Sequence, residues 1–129
     1  HYLYHMPYKV LLGLFLLCSC ATTRMTETDL YFGRSRPDGG IVTVNEWKDF
    51  RENKIARVFK EGCTILDAAG SWYDPVLHKS ITEPTYIVVY YYKNSARISR
   101  QIDSLRYWYK NRFQQQSVLR VDKKVKASF

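Results

Sequence analysis

The sequence is poor in the residues that carry common catalytic and metal-binding motifs. It contains three cysteines and three histidines in 129 residues, and only Cys63 and His78 of these follow residue 20. There is no Cys-x-x-Cys pair, no glycine-rich phosphate loop and no nucleophile elbow. A single cysteine after residue 20 allows no disulfide within that part of the chain. We therefore predict neither a metal site nor a bound cofactor.

The chain also lacks an apolar run long enough to span a bilayer, which takes about 20 residues in a helix. The longest run is Val10-Leu-Leu-Gly-Leu-Phe-Leu-Leu17. It follows Lys9 and a plausible start at Met6, so it has the length and flanks of the apolar part of a secretory signal. We predict that residues 1–19 are a signal peptide of the lipoprotein type and that the protein is exported.

The next residues, Leu17-Cys-Ser-Cys20, resemble a bacterial lipobox. Cys20 fits it better than Cys18, which follows the bulky Leu17. We predict that Cys20 is lipidated and that residues 20–26 form the anchor and its tether to the membrane. Because residue 21 is Ala and not Asp, the resemblance implies the periplasmic side of the outer membrane if the source is Gram-negative. The alternative is an ordinary signal with an incidental cysteine pair.

Acidic residues are scarce in the last third of the chain. From Lys93 onward there are ten Lys and Arg against two acids, whereas residues 20–92 have nine against ten. A basic surface of this kind attracts polyanions, such as nucleic acid, acidic lipid headgroups or anionic glycans. The alternative is a solvated surface that keeps the protein soluble.

Apolar periodicity predicts one α+β domain over residues 27–129. We expect strands at 28–32, 64–69, 85–92 and 117–122. A capping box at Thr43 starts one helix, which ends near Gly62. A second helix carries an apolar stripe from Ile98 to Phe113. This βαββαβ order predicts a split-βαβ (ferredoxin-like) fold, in which a four-stranded antiparallel sheet of order 4-1-3-2 has both helices on one face.

The strand Thr85–Tyr92 is the longest run of β-branched and aromatic residues. Ile87, Val89 and Tyr91 alternate with four residues that include three tyrosines, so neither face is polar enough to meet water alone. We expect the helices to cover one face. The tyrosine-rich face is then left for a ligand, a lid or a second subunit.

Several short motifs give the chain a family resemblance. They are Asp29-Leu-Tyr-Phe-Gly33, Arg36-Pro-Asp-Gly-Gly40, Gly70-Ser-Trp72, Glu83-Pro84, and Arg112-Phe113 through Gln116-Ser-Val-Leu-Arg-Val121. In order and spacing, over about residues 26–129, they resemble the bacterial domain of unknown function 3574. Many members are regarded as lipoproteins or secreted proteins, and the family has no established activity. Gln115 departs from the glycine expected near that position.

The predicted open sheet face suggests a candidate pocket that combines aromatic rings with charged groups. Guanidinium groups suit carboxylate or phosphate, and a desolvated Glu83 could accept a hydrogen bond or act as a base. The alternative is that Arg120 pairs with Glu83 while the tyrosines pack in a dimer interface. The candidate residues are Tyr31, Arg34, Trp72, Glu83, Tyr90, Arg112 and Arg120.

Three functions are compatible with these patterns. The first is a non-catalytic envelope lipoprotein that forms a homodimer or binds an anionic partner through the sheet face. The second is a small cofactor-independent enzyme, similar to oxygenases or isomerases, with Glu83 or Asp74 as base. The third, nucleic-acid binding, is disfavoured because Thr85–Tyr92 lacks the aromatic-Gly-aromatic pattern of RNA-recognition modules and because export separates the domain from nucleic acid.

Overall fold

A computed structural model describes residues 22–129, so the predicted signal peptide and Cys20 lie outside the described residues. The chain from Thr23 onward forms four strands and two helical segments. In order they are β1 (Thr23–Gly33), α1 (Val44–Phe50, Arg51–Ile55 and Ala56–Val58), β2 (Thr64–Asp74), β3 (Lys79–Tyr92), α2 (Ala96–Phe113) and β4 (Leu119–Ala127).

The strands form one antiparallel sheet in the order β2-β3-β1-β4. The predicted α+β class, with a four-stranded antiparallel sheet and two helices, is confirmed. All four strands extend beyond the predicted ranges. β1 begins at Thr23, so residues 23–26 are paired strand rather than tether, and β3 begins at Lys79. β2 continues to Asp74, and β4 runs from Leu119 to Ala127. The extensions are rich in polar residues, which is why apolar periodicity did not include them.

Helix α1 begins at the predicted capping box, in which Thr43 and Glu46 satisfy each other's backbone N–H groups. Its apolar residues include Phe50 and Ile55, a step of five that a regular α-helix would place on different faces. The segment Arg51–Ile55 is π-helical. This wider turn brings Ile55 onto the same buried face as Phe50.

Helix α2 follows its predicted apolar stripe. Ile102, Leu105, Tyr109 and Phe113 are buried, and Ser95 caps the first turn by accepting a hydrogen bond from the Ile98 N–H. The two helical segments and the sheet meet at Phe32. Its ring contacts those of Tyr109, Phe50 and Trp47 at centroid distances of 4.8, 5.3 and 5.5 Å. The core between sheet and helices is therefore largely aromatic.

The helices cover the tyrosine-rich face of the sheet, which reverses the predicted assignment. Val88, Tyr90 and Tyr92 are buried in the core with Leu30 and Phe32 of β1. We call the opposite face, which includes Ile87, Val89 and Tyr91, the uncovered face. Both faces are apolar, so alternation separated the two sets of residues correctly but could not indicate which set the helices cover.

Candidate ligand cleft at one end of the uncovered face

Three of the predicted site residues line one cleft of about 520 Å³ at an end of the uncovered face. Tyr31 is on β1, Trp72 on β2 and Glu83 on β3, and the segment Gln114–Ser117 after α2 forms another wall. Antiparallel pairing places Tyr31 and Trp72 on either side of Glu83, since β3 lies between β1 and β2. The sheet thus brings together an acid and two aromatic rings that are distant in sequence.

Tyr90 and Arg120 do not join this cleft, and their predicted place on the open face is wrong. Arg120 lies opposite Leu30 in the β1–β4 register, on the face that the helices cover. It donates to Asp103 at 3.0 Å and to Asp122 at 3.1 Å. The predicted pair with Glu83 is therefore not formed. The alternation in β4 predicts which residues share a face, but it does not indicate which of the two faces lies against the helices.

The other two predicted arginines also bind elsewhere. Arg34 donates two hydrogen bonds to the Val42 carbonyl and lies over the Tyr86 ring at 4.9 Å. Arg112 lies 5.3 Å from the ring of Phe113, its neighbour in sequence. Neither guanidinium lines the cleft, so the predicted anion-binding arginines are absent from it.

Tyr90 faces a second cavity, of about 770 Å³, which Cys63 also lines. Its ring stacks on Phe59 at 4.0 Å. Burial raises the pKa of the Tyr90 hydroxyl and of the Cys63 thiol. A thiol with a raised pKa carries little thiolate at neutral pH, so Cys63 is poorly suited to act as a nucleophile.

Glu83 forms the floor of the first cleft. Its Oε1 accepts a hydrogen bond from the Ser35 backbone N–H at 3.0 Å. A Cβ atom on Gly33 would lie 2.6 Å from Oε1, so any larger residue at this position would displace the carboxylate. Gly70 lies directly opposite Glu83 on β2. Gly33 therefore lets the carboxylate lie close to the sheet, whereas a Cβ atom on Gly70 would make only ordinary contacts with Thr85 and the Glu83 backbone.

The cleft is also lined by residues that the sequence patterns did not predict, namely Arg36 and Gln114–Gln116. Arg36 lines the cleft, but Glu46 accepts both of its hydrogen bonds at 2.7 Å. The hydrogen bond from the Thr43 N–H is the largest cause that lowers the pKa of Glu46, and Arg36 lowers it further. The motif Arg36-Pro-Asp-Gly-Gly40 could have pointed to this pair, because its turn holds Arg36 near the start of α1.

The rest of the uncovered face is mostly apolar, with one group of charges around Asp29, which lies opposite Val89 on β3 and Val121 on β4. Asp29 is 6% exposed and accepts a hydrogen bond from Lys123 at 3.0 Å. Lys123 also lies 3.5 Å from Glu27. These three residues carry one positive and two negative charges, so they provide no cationic patch for an anionic partner.

Within residues 22–129 no three His, Cys, Asp or Glu side chains come close enough together to hold a metal ion. No helix in the same range combines the length and apolar character needed to cross a bilayer.

All five motifs that carry the family resemblance contribute residues to the lining of the cleft. A family model described as "Protein of unknown function (DUF3574)" matches residues 27–129. A search of curated proteins gave no significant match.

Two solved structures are similar to this chain. One, "phage SAM lyase in complex with S-methyl-5'-thioadenosine", has a TM-score of 0.58 and 12% identity, and the match covers 81% of this chain and 90% of that one. The other, "phage SAM lyase in apo state", has a TM-score of 0.57 and 14% identity, with 81% and 87% covered. Identity this low supports a shared fold alone.

Proposed function

Because this chain belongs to the DUF3574 family, which is defined without an activity, we propose a function from its surfaces. In this proposal the protein is exported and lipid-anchored in the cell envelope, acts without catalysis, and associates with a second copy through the uncovered face. We include in the proposal the ferredoxin-like class of the fold, which is supported by one helical segment after β1 and one after β3.

The proposed association with a second copy is supported by the exposed apolar surface of the uncovered face. Leu66 and Leu119 are 47% and 56% exposed, and Ile87, Val89 and Val121 are only partly buried. They lie on β2, β3 and β4, and Tyr31 of β1 lies between Ile87 and Leu119, so the apolar surface reaches from one edge of the sheet to the other. Apolar surfaces of this extent on soluble proteins mark places where another molecule binds.

A second copy fits this face better than a charged partner does. The one charged side chain at the centre of the face, Asp29 between Val89 and Val121, is already paired with Lys123, which also lies near Glu27. Four strands of about eight residues cover roughly 500 Å² on each copy at ordinary strand spacings. Two such faces reach about 1,000 Å², near the lower limit for a specific interface. A two-fold axis would let the same residues serve both copies.

Self-association can be tested on residues 21–129, which include every described element. We expect sedimentation equilibrium at micromolar concentration to give twice the monomer mass. Leu66→Glu should give a monomer, because it places a charge within the apolar face. Tyr107→Glu is the matched control, since Tyr107 is 68% exposed on α2, on the helix side of the sheet. A monomeric wild type would reject the proposed dimer.

The lipid anchor is tested separately, because Cys20 lies outside the described residues. Metabolic labelling with a palmitate analogue should mark the wild type and the Cys18→Ala variant. The Cys20→Ala variant should remain unlabelled, since its thiol is the proposed acceptor of the lipid. Labelling that persists in Cys20→Ala would reject this anchor while leaving the dimer proposal intact.

A second candidate function, a small cofactor-independent enzyme, is supported by the Glu83 cleft. Asp74, the other predicted base, accepts hydrogen bonds from the Val76 and Leu77 N–H groups and so serves the β2–β3 turn. The similar phage structures suggest one activity to test. The wild type would be incubated with S-adenosylmethionine and compared with Glu83→Gln for release of S-methyl-5'-thioadenosine. Equal release by both proteins would reject Glu83 as the base of this reaction.

A further inference from the structure

The Glu83 carboxylate has no cationic partner in the part of the chain that the structure describes. Every ion pair found in residues 22–129 with N···O within 4.0 Å involves other acids. Its Ser35 hydrogen bond satisfies one oxygen but supplies no charge. A half-buried carboxylate beside apolar groups is costly unless a cation or further donors compensate it.

Neighbouring charges do not supply that compensation. Arg36 is the one Lys, Arg or His among the residues that line the cleft. Its guanidinium is held by Glu46 through both carboxylate oxygens, at 2.7 Å each. This pair is internally neutral, so the cleft retains the uncompensated negative charge of Glu83.

The walls of the cleft offer flat aromatic surface near this charge. Trp72 is 48% exposed, and Tyr31 is partly exposed on the strand at the other side of Glu83. Aromatic faces attract organic cations through the negative potential of the ring, and tryptophan does so most strongly. A cavity of about 520 Å³ has the size of a small-molecule site.

We propose that this cleft binds a small organic cation, of the ammonium or sulfonium class. Its positive centre lies against the Glu83 carboxylate, and its apolar part lies along Trp72 and Tyr31. An inorganic metal ion fits less well because one carboxylate is too few ligands, and an anion fits less well because Glu46 already neutralises Arg36, the one guanidinium in the cleft. Gly33 serves the site by leaving room for the acid at its floor. This inference does not depend on the proposed dimer or on the lipid anchor.

The probe is benzyltrimethylammonium, titrated by calorimetry into the full-length chain in a non-ionic detergent. Benzyl alcohol and benzoate, which carry the same ring with no charge or a negative charge, are the control probes. We expect saturable binding of the cation, with at least tenfold weaker binding of both controls. Absence of saturable cation binding, or equal binding of benzyl alcohol, would overturn the proposal.

Two variants identify the groups that bind. Glu83→Gln should weaken cation binding at least tenfold, because it removes the charge but keeps the shape of the side chain. Trp72→Leu should weaken it about fivefold, and its exposed position makes it safe for folding. Glu52→Gln, on the exposed side of α1, is the matched control and should bind like the wild type. Unchanged affinity in Glu83→Gln would overturn the assignment. If Glu83→Gln does not fold, unchanged affinity in Trp72→Leu would overturn it.

Discussion

The two faces of the sheet are both apolar, yet only one is covered within the chain. Tyr90 and Tyr91 are adjacent in β3 and show the contrast directly. Tyr90 is 4% exposed and stacks between Phe59 and Tyr92, whereas Tyr91 on the uncovered face is 43% exposed. The helices thus cover the face with the bulkier side chains. The other face is left with surface that folding alone does not bury.

One charged residue on each face, Arg120 and Glu83, shows a similar contrast. Arg120, on the covered face, is paired with Asp103 and Asp122 of the same chain. Glu83, on the uncovered face, has no cation among the described residues within ion-pair distance. Arg120 is thus compensated within the chain, whereas the uncovered face has both apolar surface and, at Glu83, a charge available to another molecule. Stability and binding should therefore depend on different faces.

The largest effect on stability is expected at Phe32, at the centre of the covered face. Phe32→Ala removes a fully buried ring that contacts three other rings and should lower the free energy of unfolding by about 3–5 kcal/mol. Leu66→Ala, on the uncovered face, should cost about 1 kcal/mol or less in the monomer, because the side chain is half exposed. Urea unfolding at low protein concentration compares the two. Equal losses would contradict the proposed difference between the faces.

A smaller loss is expected for Arg120→Met. The Arg120 side chain is 11% exposed, and its removal leaves Asp103 and Asp122 without their shared cation. We expect the free energy of unfolding to fall by about 2–4 kcal/mol. Adding Asp122→Asn should recover part of this loss, because one uncompensated charge is then removed. Adding Glu83→Gln instead should recover none, since Glu83 lies on the other face. Recovery by Glu83→Gln would restore the pairing predicted from the sequence.

The pH dependence of Arg120→Met provides a further check. Burial acts to raise the pKa of both Asp103 and Asp122, but hydrogen bonds to Arg106, Thr28 and Arg120 outweigh it and lower both pKa values. Carboxylates with a lowered folded pKa stabilise the fold above their unfolded pKa of about 3.9. That stability is lost as the pH falls through the folded pKa. The gap between wild type and variant should therefore be constant near neutral pH and shrink below about pH 4.

The elements of the fold could be predicted from sequence because each has a local signal. The Thr43 capping box, the α2 stripe and the alternation in β3 all appear in the structure. The π-helical turn of α1 also had a signal, in the step of five residues between Phe50 and Ile55. It was missed because the segment from Thr43 to Gly62 was predicted to be one regular α-helix.

The candidate site could be predicted only in part, because a site depends on which face each residue occupies. Tyr31, Trp72 and Glu83 line one cleft; the alternation in β1 predicts the side of Tyr31, whereas Trp72 and Glu83 were expected near it through the connections between strands. Tyr90 and Arg120 were placed on the wrong face. Their strands are apolar on both sides, and the covered side is decided by how the aromatic rings pack against the helices. That is a property of the whole core and not of the local sequence.

The smallest effect on stability is expected at Tyr91. Tyr91→Ser should change the free energy of unfolding of the monomer by less than about 1 kcal/mol, because 43% of the residue already contacts solvent. The same change at Tyr90 should cost several times more, since its ring is buried between Phe59 and Tyr92. Dilution series should show the reverse order for association, with Tyr91→Ser raising the dimer dissociation constant several-fold. Similar unfolding losses for both variants, with no change in association, would mean that the chain itself covers both faces.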